Sequence, residues 1–351
     1  MKLPSIVKTR PGVWEPVGLS RPFAEVSALR AELLRALGGT FRPDLLLVDH
    51  MPHGAMGELL PLLREMREMP APPRCVLGLR DIVDAPEVVE RVWADEGAFD
   101  ALESYYDAVL VYGRKDLFDP VSEYGFPRQV AERVHYTGYV CTRDRGRYTA
   151  TVRSRAAKSG AGLLVATAGG GADGHPMMSA VLDALPVLRD VQPWAAMLIT
   201  GPFMPTHLRR DLERRAVAVG AKVRPYVSDP LSYVEAADVV VAMAGYSSSV
   251  EAMRSGTPTV LVPRRGPSAE QRMRTARFTA RGWTSSVDPD HVTGAAIAAA
   301  VLARLSSSAP PAPDPRGLDT AVCHLVAMLD GRAANALIPL QVRRAGALPV
   351  G

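Results

Sequence analysis

Short runs of consecutive apolar residues alternate with segments of helical period along nearly the whole chain. Leu45-Leu46-Leu47-Val48-Asp49, Cys75-Val76-Leu77-Gly78-Leu79 and Ala108-Val109-Leu110-Val111-Tyr112 are three such runs. An unbroken apolar run of this length is the pattern of a strand covered on both faces, as parallel strands are. Between and before them, residues 23–38, 54–69 and 86–106 carry helical periodicity. Strand and helix in strict alternation predict a parallel sheet sandwiched by helices. The alternation restarts after the charged stretch Thr142-Arg143-Asp144-Arg145-Gly146-Arg147, with strands expected at Gly162 to Ala168, Ala195 to Thr200, Lys222 to Tyr226, Asp238 to Met243 and Thr259 to Val262. The expectation is therefore an α/β chain of two doubly wound domains, 1–143 and 144–332, followed by a weakly patterned tail, 333–351. Ser306 to Pro315 is rich in Ser, Pro and Ala and is expected to be a linker, with a short amphipathic helix at about 317–331 after it.

Composition narrows the choice of partner. The 351 residues are enough for two cores. The net charge is +4, from 41 basic and 37 acidic residues, and the only lysines are Lys2, Lys8, Lys115, Lys158 and Lys222. No basic stripe with interleaved aromatics is present, which argues against nucleic acid. The charge favours an anionic substrate or a weak peripheral contact with an acidic membrane. Cys75, Cys141 and Cys323 are an odd number with no CxxC pair. They suit neither a disulfide framework nor a zinc ribbon and fit a reducing cytoplasm. No apolar stretch of about 18 residues predicts a membrane span, and Met1 to Ser5 is neither a signal nor a transit peptide.

In parallel sheets, ligands bind beyond the carboxyl ends of strands, so residues just after each strand are the informative ones. Gly169-Gly170-Gly171 follows the strand ending at Ala168, ahead of a helix expected near Gly174-His175-Pro176. Glycines let backbone N–H groups approach a phosphate, and the helix start adds a favourable field; a flexible turn is the plain alternative. After the strand ending at Met243, Gly245-Tyr246-Ser247-Ser248-Ser249 places hydroxyls where a helix begins, and Glu251 falls about one turn inside it. That pattern fits an anion pocket with a carboxylate for a ribose diol, or an ordinary capped helix. After Val262, the segment Arg264 to Arg274 offers Glu270 and Gln271 for sugar hydroxyls and arginines for a diphosphate, or is a solvated helix start. In the first half, Asp49, His50 and His53 follow a strand, and Asp49 and His50 are the candidates for a general base. A polar loop is the alternative. Arg80 and Asp81 end the next strand, where they can bind the acceptor or pair with each other.

The stretch from Ala237 to Phe278 resembles the nucleotide-binding signature of two-Rossmann (GT-B) glycosyltransferases, in the branch that includes the bacterial enzyme adding N-acetylglucosamine to lipid I. It is more similar still to a set of bacterial predicted glycosyltransferases. Ala236-Ala237-Asp238, Gly245-Tyr246, Glu251-Ala252, Gly256-Thr257-Pro258 and Glu270-Gln271 carry the specific part of the likeness. Lys2-Leu3-Pro4-Ser5, Gly78-Leu79-Arg80-Asp81-Ile82 and Leu110-Val111-Tyr112-Gly113 extend it more weakly over most of residues 1–330. The resemblance implies that Gly169, Gly170 and Gly171 approach the diphosphate with Gly245, Tyr246, Ser247, Ser248 and Ser249. It implies that Tyr226 and Val227 hold a uracil-type base through backbone groups, Glu251 the ribose, and Glu270 and Gln271 the donor sugar. Two departures stand out. Relatives often carry Asn-Thr after Gly-Tyr where this chain has Ser247-Ser248, and no Gly-x-Gly-His precedes Lys2, so the first domain is expected to lack its first strands and to leave an unpaired sheet edge.

The implied activity is hexosyl or N-acetylhexosaminyl transfer from a nucleoside diphosphate sugar, UDP-linked, to a hydroxyl on a small-molecule or lipid-linked acceptor, with inversion. No cofactor is expected beyond the nucleotide sugar, and no metal, since no Asp-x-Asp is read after a strand. A nucleotide-sugar-binding module without transfer is the alternative that the missing N-terminal loop suggests. A hydrolysing UDP-N-acetylglucosamine epimerase shares the fold but needs more cleft carboxylates and histidines than the strand ends supply.

Overall fold

The computed structural model describes residues 2–10, 13–142, 146–157, 160–307 and 316–331. The expected tail, most of the 306–315 linker and Arg143 to Arg145 lie outside these residues. The chain opens with an antiparallel hairpin, β1 (Ile6–Arg10) and β2 (Val13–Pro16), which forms its own two-stranded sheet. Its strands are half exposed and mixed in polarity, so apolar runs did not reveal it. The helix Phe23–Phe41 follows.

The first α/β unit is a four-stranded sheet of β3 (Leu45–Asp49), β4 (Arg74–Arg80), β5 (Ala108–Tyr112) and β6 (Val134–Tyr136), parallel throughout and in that order. Cys75, Val76, Leu77 and Leu79 of β4 are fully buried, as a central strand with both faces covered requires. Among the described residues nothing pairs with the outer edge of β3. The helix expected over 86–106 is two, Pro86–Asp95 and Ala98–Tyr105, broken at Gly97 with φ 70°. A left-handed residue cannot continue a right-handed helix. Likewise 54–69 divides into a 3₁₀ turn, Ala55–Gly57, and the helix Leu60–Glu68.

The second sheet has six strands: β7 (Gly162–Thr167), β8 (Trp194–Ile199), β9 (Lys222–Arg224), β10 (Val239–Met243), β11 (Thr259–Val262) and β12 (Ser285–Ser286). Their order is β12-β11-β10-β7-β8-β9, all parallel. From β7 the chain steps outward to β8 and β9, then returns to lay β10 on the other side of β7. The connections after β7 and β10 therefore leave in opposite directions, opening a crevice beyond their carboxyl ends. The helices His175–Arg189 and Gly294–Ser306 bury one face of this sheet, and Tyr246, Val250, Met253 and Phe278 help bury the other.

The two units are locked at their seam. Arg274 and Asp81 form a fully buried ion pair across it, Nη2 to Oδ1 at 2.7 Å, with further bonds from Nε to both carboxylate oxygens at 3.2 Å. The Tyr246 hydroxyl donates to the Tyr112 carbonyl and accepts from the Val140 N–H, both at 2.9 Å. The helix Gly317–Leu329 falls in the second half by sequence, yet it packs Ala321, Leu325 and Met328 on Val76, Ala108 and Leu110 of the first sheet.

Candidate functional site

The site forms where the second sheet reverses. The loop after β7 runs through Gly169 and Gly171 in left-handed conformations, φ 60° and 88°. A Cβ at Gly171 would sit 1.9 Å from the Thr200 carbonyl oxygen, so no other residue fits there. Gly201, φ 87°, interlocks from the next loop, and the Phe203 N–H donates to the Gly170 carbonyl at 2.9 Å. The loop is thus held as a shaped turn.

Opposite it, Gly245 is the extended residue before the helix Tyr246–Ser255. The first intrahelical bond of this helix is donated by the Ser249 N–H, to Gly245 at 3.0 Å. The N–H groups of Tyr246, Ser247 and Ser248 therefore have no acceptor within the helix and open toward the crevice. The Ser248 hydroxyl lies 3.5 Å from where a Gly169 Cβ would stand, which brings the two loops face to face. One cleft is lined by Gly169, Gly170, Gly171, Gly245, Tyr246, Ser247, Ser248 and Gln271, together with Arg80, Asp173, Phe203 and Arg264. Gln271 is buried, and its Oε1 accepts from the Arg264 N–H at 3.1 Å.

A second cavity adjoins this cleft across the domain seam. It is lined by His50, Met51, Arg80, Val83, Asp84, Val88, Val92 and Trp93 from the first unit and by Arg264, Pro267, Ser268 and Glu270 from the second. Asp84 is already engaged, its carboxylate accepting from the Ala85 and Ala269 N–H groups at 2.9 and 2.7 Å. Burial raises the Glu270 carboxyl above the usual glutamate range, with Arg274, Arg264 and Arg80 partly offsetting it.

Several expected site residues lie elsewhere. Ser249 points inward, fully buried with no hydrogen-bond partner for its hydroxyl, because it falls on the core side of its helix. Asp81 is buried against Arg274 and meets no acceptor. Asp49 is exposed, 3.5 Å from Arg80, and lines neither cavity. His53 is fully buried, with Nε2 2.9 Å from Glu96. Glu270 faces the interdomain cavity rather than the glycine cleft. Glu251 is half-buried one turn beyond Ser248 and does not itself line the cleft; burial raises its carboxyl, partly offset by Arg254. Tyr226 and Val227 line a separate groove with Lys222 and Arg224. Phe203 is a cleft residue that went unread, although Gly201 just past a strand end on the ligand side was the available signal.

An Asp-x-Asp does follow a strand: Asp288-Pro289-Asp290 comes after β12. Its carboxylates face arginines, with Arg272 to Asp290 at 2.7 Å and Arg265 to Asp290 at 3.4 Å. Among the described residues no group of three or more His, Cys, Asp or Glu is placed to hold a metal. Nor is any described helix long and apolar enough to cross a membrane.

Residues 164–319, which contain the whole glycine cleft apart from Arg80, match the C-terminal domain of glycosyltransferase family 28. The second half of the chain is therefore similar to the C-terminal domain of that family, over somewhat less than half of the chain. The similarity to characterised enzymes is local. The chain is 35% identical over 100 residues to the UDP-N-acetylglucosamine–N-acetylmuramyl-(pentapeptide) pyrophosphoryl-undecaprenol N-acetylglucosamine transferase of Pseudomonas paraeruginosa, 28% of each chain. It thus spans just over a quarter of the curated relatives that it matches. Solved structures extend the likeness to both halves. UDP-GlcNAc 2-epimerase from Neisseria meningitidis, bound to UDP-GlcNAc, superposes with a TM-score of 0.58 at 12% identity, over 88% of this chain and 83% of the other. MurG from Acinetobacter baumannii gives 0.51 at 12% identity, over 93% and 83%. At such identities the likeness concerns the fold, which is the two-Rossmann GT-B arrangement joined to a four-stranded first sheet.

Proposed function

We propose that this chain transfers a sugar from a nucleoside diphosphate donor, UDP-linked, to a hydroxyl acceptor held in the cavity between its two domains. One observation carries the reading. A cleft of glycines and helix-start N–H groups lies at the sheet's reversal point and shares Arg80 and Arg264 with a second cavity lined by both domains. A binding module needs the first of these; a transferase needs both, side by side. The matched family and the donor named for the Pseudomonas relative, UDP-N-acetylglucosamine, support the same choice.

In this reading the diphosphate lies between Gly169–Gly171 and the N–H groups of Ser247 and Ser248, which aim preorganised donors at the developing charge. Glu251, one turn along the same helix, accepts the ribose hydroxyls. The acceptor hydroxyl enters from the interdomain cavity. His50 takes its proton there, in preference to Asp49, which stands outside both cavities. The acceptor oxygen bonds to the anomeric carbon as the bond from that carbon to the diphosphate oxygen breaks, and the electron pair leaves with the diphosphate. The Asp288-Pro289-Asp290 carboxylates face arginines and line neither cavity, so no part in the reaction is assigned to them. Cys75 and Cys323 are free thiols, in keeping with a cytoplasmic enzyme.

Calorimetry with UDP, ADP, GDP and dTDP tests the donor site, and release of UDP from UDP-N-acetylglucosamine with a panel of hydroxyl acceptors tests transfer. UDP is expected to bind best. Binding of none of the four nucleotides would falsify the proposal. Acceptor-independent conversion of the sugar nucleotide would move the assignment to an epimerase.

A further inference from the structure

The glycine cleft and the interdomain cavity have two lining residues in common: Arg80, from the end of β4 in the first domain, and Arg264, just past β11 in the second. They stand at the junction where donor and acceptor meet. Each guanidinium is loosely held by a partly exposed carboxylate. Arg80 Nη2 lies 3.5 Å from Asp49 with side chains 42% and 62% exposed. Arg264 Nε lies 3.4 Å from Asp173 with side chains 33% and 43% exposed. Both pairs exceed the range of a good charge-assisted hydrogen bond, and pairs this exposed contribute little. The backbones that carry them are by contrast firmly held. Asp81, next to Arg80, is in the buried pair with Arg274, and the Arg264 N–H donates to buried Gln271.

We infer that Arg80 and Arg264 close on the diphosphate from opposite domains, exchanging Asp49 and Asp173 for the phosphate oxygens, and carry the negative charge that the leaving group gains. The inference rests on the donor reading above and goes beyond it, since it makes the first domain part of the leaving-group site. Rigid backbone with a loosely paired side chain is what such an exchange needs: the cation is placed, yet its present partner is easily displaced. Arginine suits the role because its planar fork meets two phosphate oxygens at once. In this arrangement the Asp49 carboxylate is a competitor for Arg80 and no base.

The test compares UDP with UMP by calorimetry on the full chain. Arg80→Gln is expected to weaken UDP about tenfold, the low end for a charged hydrogen bond because the site is half exposed. UMP should move less than twofold. Arg80→Lys should restore part of the loss, and Asp49→Asn, which frees Arg80, should tighten UDP severalfold. Unchanged UDP affinity in Arg80→Gln, or equal weakening of UDP and UMP, overturns the inference while leaving the donor reading in place. A wild-type chain that binds neither nucleotide overturns both. Thermal unfolding of each variant within a few degrees of wild type separates these outcomes from misfolding, and Arg264→Gln repeats the comparison from the other domain.

Discussion

Replacing Asp81 with asparagine keeps the shape of the domain seam and removes half of its charge. In the native chain, burial lowers the Arg274 pKa, but the charge and hydrogen bonds of Asp81, together with the charge of Glu270, more than reverse this, so the guanidinium stays protonated. Asp81→Asn leaves that charge buried among the carbonyls of Ala244, at 2.9 Å, and Ile82, at 3.4 Å, with the Glu270 carboxylate 3.9 Å away as its remaining counter-charge. Removing one partner of a buried pair costs about 3–5 kcal/mol. The two remaining carbonyl contacts and the amide oxygen hold the cost near the low end, about 3 kcal/mol. At roughly 2–4 °C per kcal/mol for a domain of this size, the melting temperature should fall by about 6–12 °C. Differential scanning calorimetry of the full chain reads this directly. The double variant Asp81→Asn/Arg274→Met should recover much of the loss, because the uncompensated charge is gone. A shift of less than about 2 °C, or a double variant no better than the single, would refute the reasoning that a buried charge holds the seam.

Three further outcomes are expected. Gly171→Ala forces an alanine into φ 88° and its Cβ to within 1.9 Å of the Thr200 oxygen, so it should destabilise the second domain by about 2 kcal/mol or more and weaken UDP, read by thermal unfolding and calorimetry. Tyr246→Phe removes the hydroxyl shared by Tyr112 and Val140 and should cost about 1–2 kcal/mol in urea unfolding, since the partly buried Val140 N–H loses its partner. The Glu251 carboxyl has a raised pKa and binds a diol best when ionised. UDP affinity should therefore hold above that pKa and fall as pH drops through it, beginning nearer neutrality than for an exposed glutamate. Glu251→Gln should flatten this pH dependence and cost about 1–3 kcal/mol in calorimetry; an unchanged affinity with an unchanged slope would remove Glu251 from the ribose.

The parallel strands were legible because a strand buried on both faces has no polar alternation to obscure it: Asp238 to Met243 reads as a strand, and Val239–Met243 is one. That the loops after β7 and β10 meet was legible for a related reason, since both follow strand ends on the same side of the sheet, and the structure brings Gly169 and Ser248 face to face. What stayed hidden depends on which way a side chain turns after packing. Ser247, Ser248 and Ser249 are chemically alike in a string of letters, and only the helix's docking on Val250 and Met253 sends Ser249 inward. Asp81 after a strand looks like a ligand-facing acid until Arg274, nearly two hundred residues later, arrives to cover it. Glu270 and Gln271 are neighbours in sequence, but consecutive helical positions diverge by about a hundred degrees, and they serve different cavities. The β1–β2 hairpin is too short and too exposed for its pattern to rise above that of a polar loop.

The helix Gly317–Leu329 returns the chain to the first domain, so the backbone passes between the halves twice. The two passages run side by side: Val140 bridges to Arg316, and Gly317 packs so closely on the Gly138 and Tyr139 carbonyls that a Cβ would come within 2.5 Å of both oxygens. The described ends of both crossings are thereby fastened to each other at one point of the seam. Moving one half against the other would mean turning about that contact, which the buried Asp81–Arg274 pair elsewhere on the seam resists.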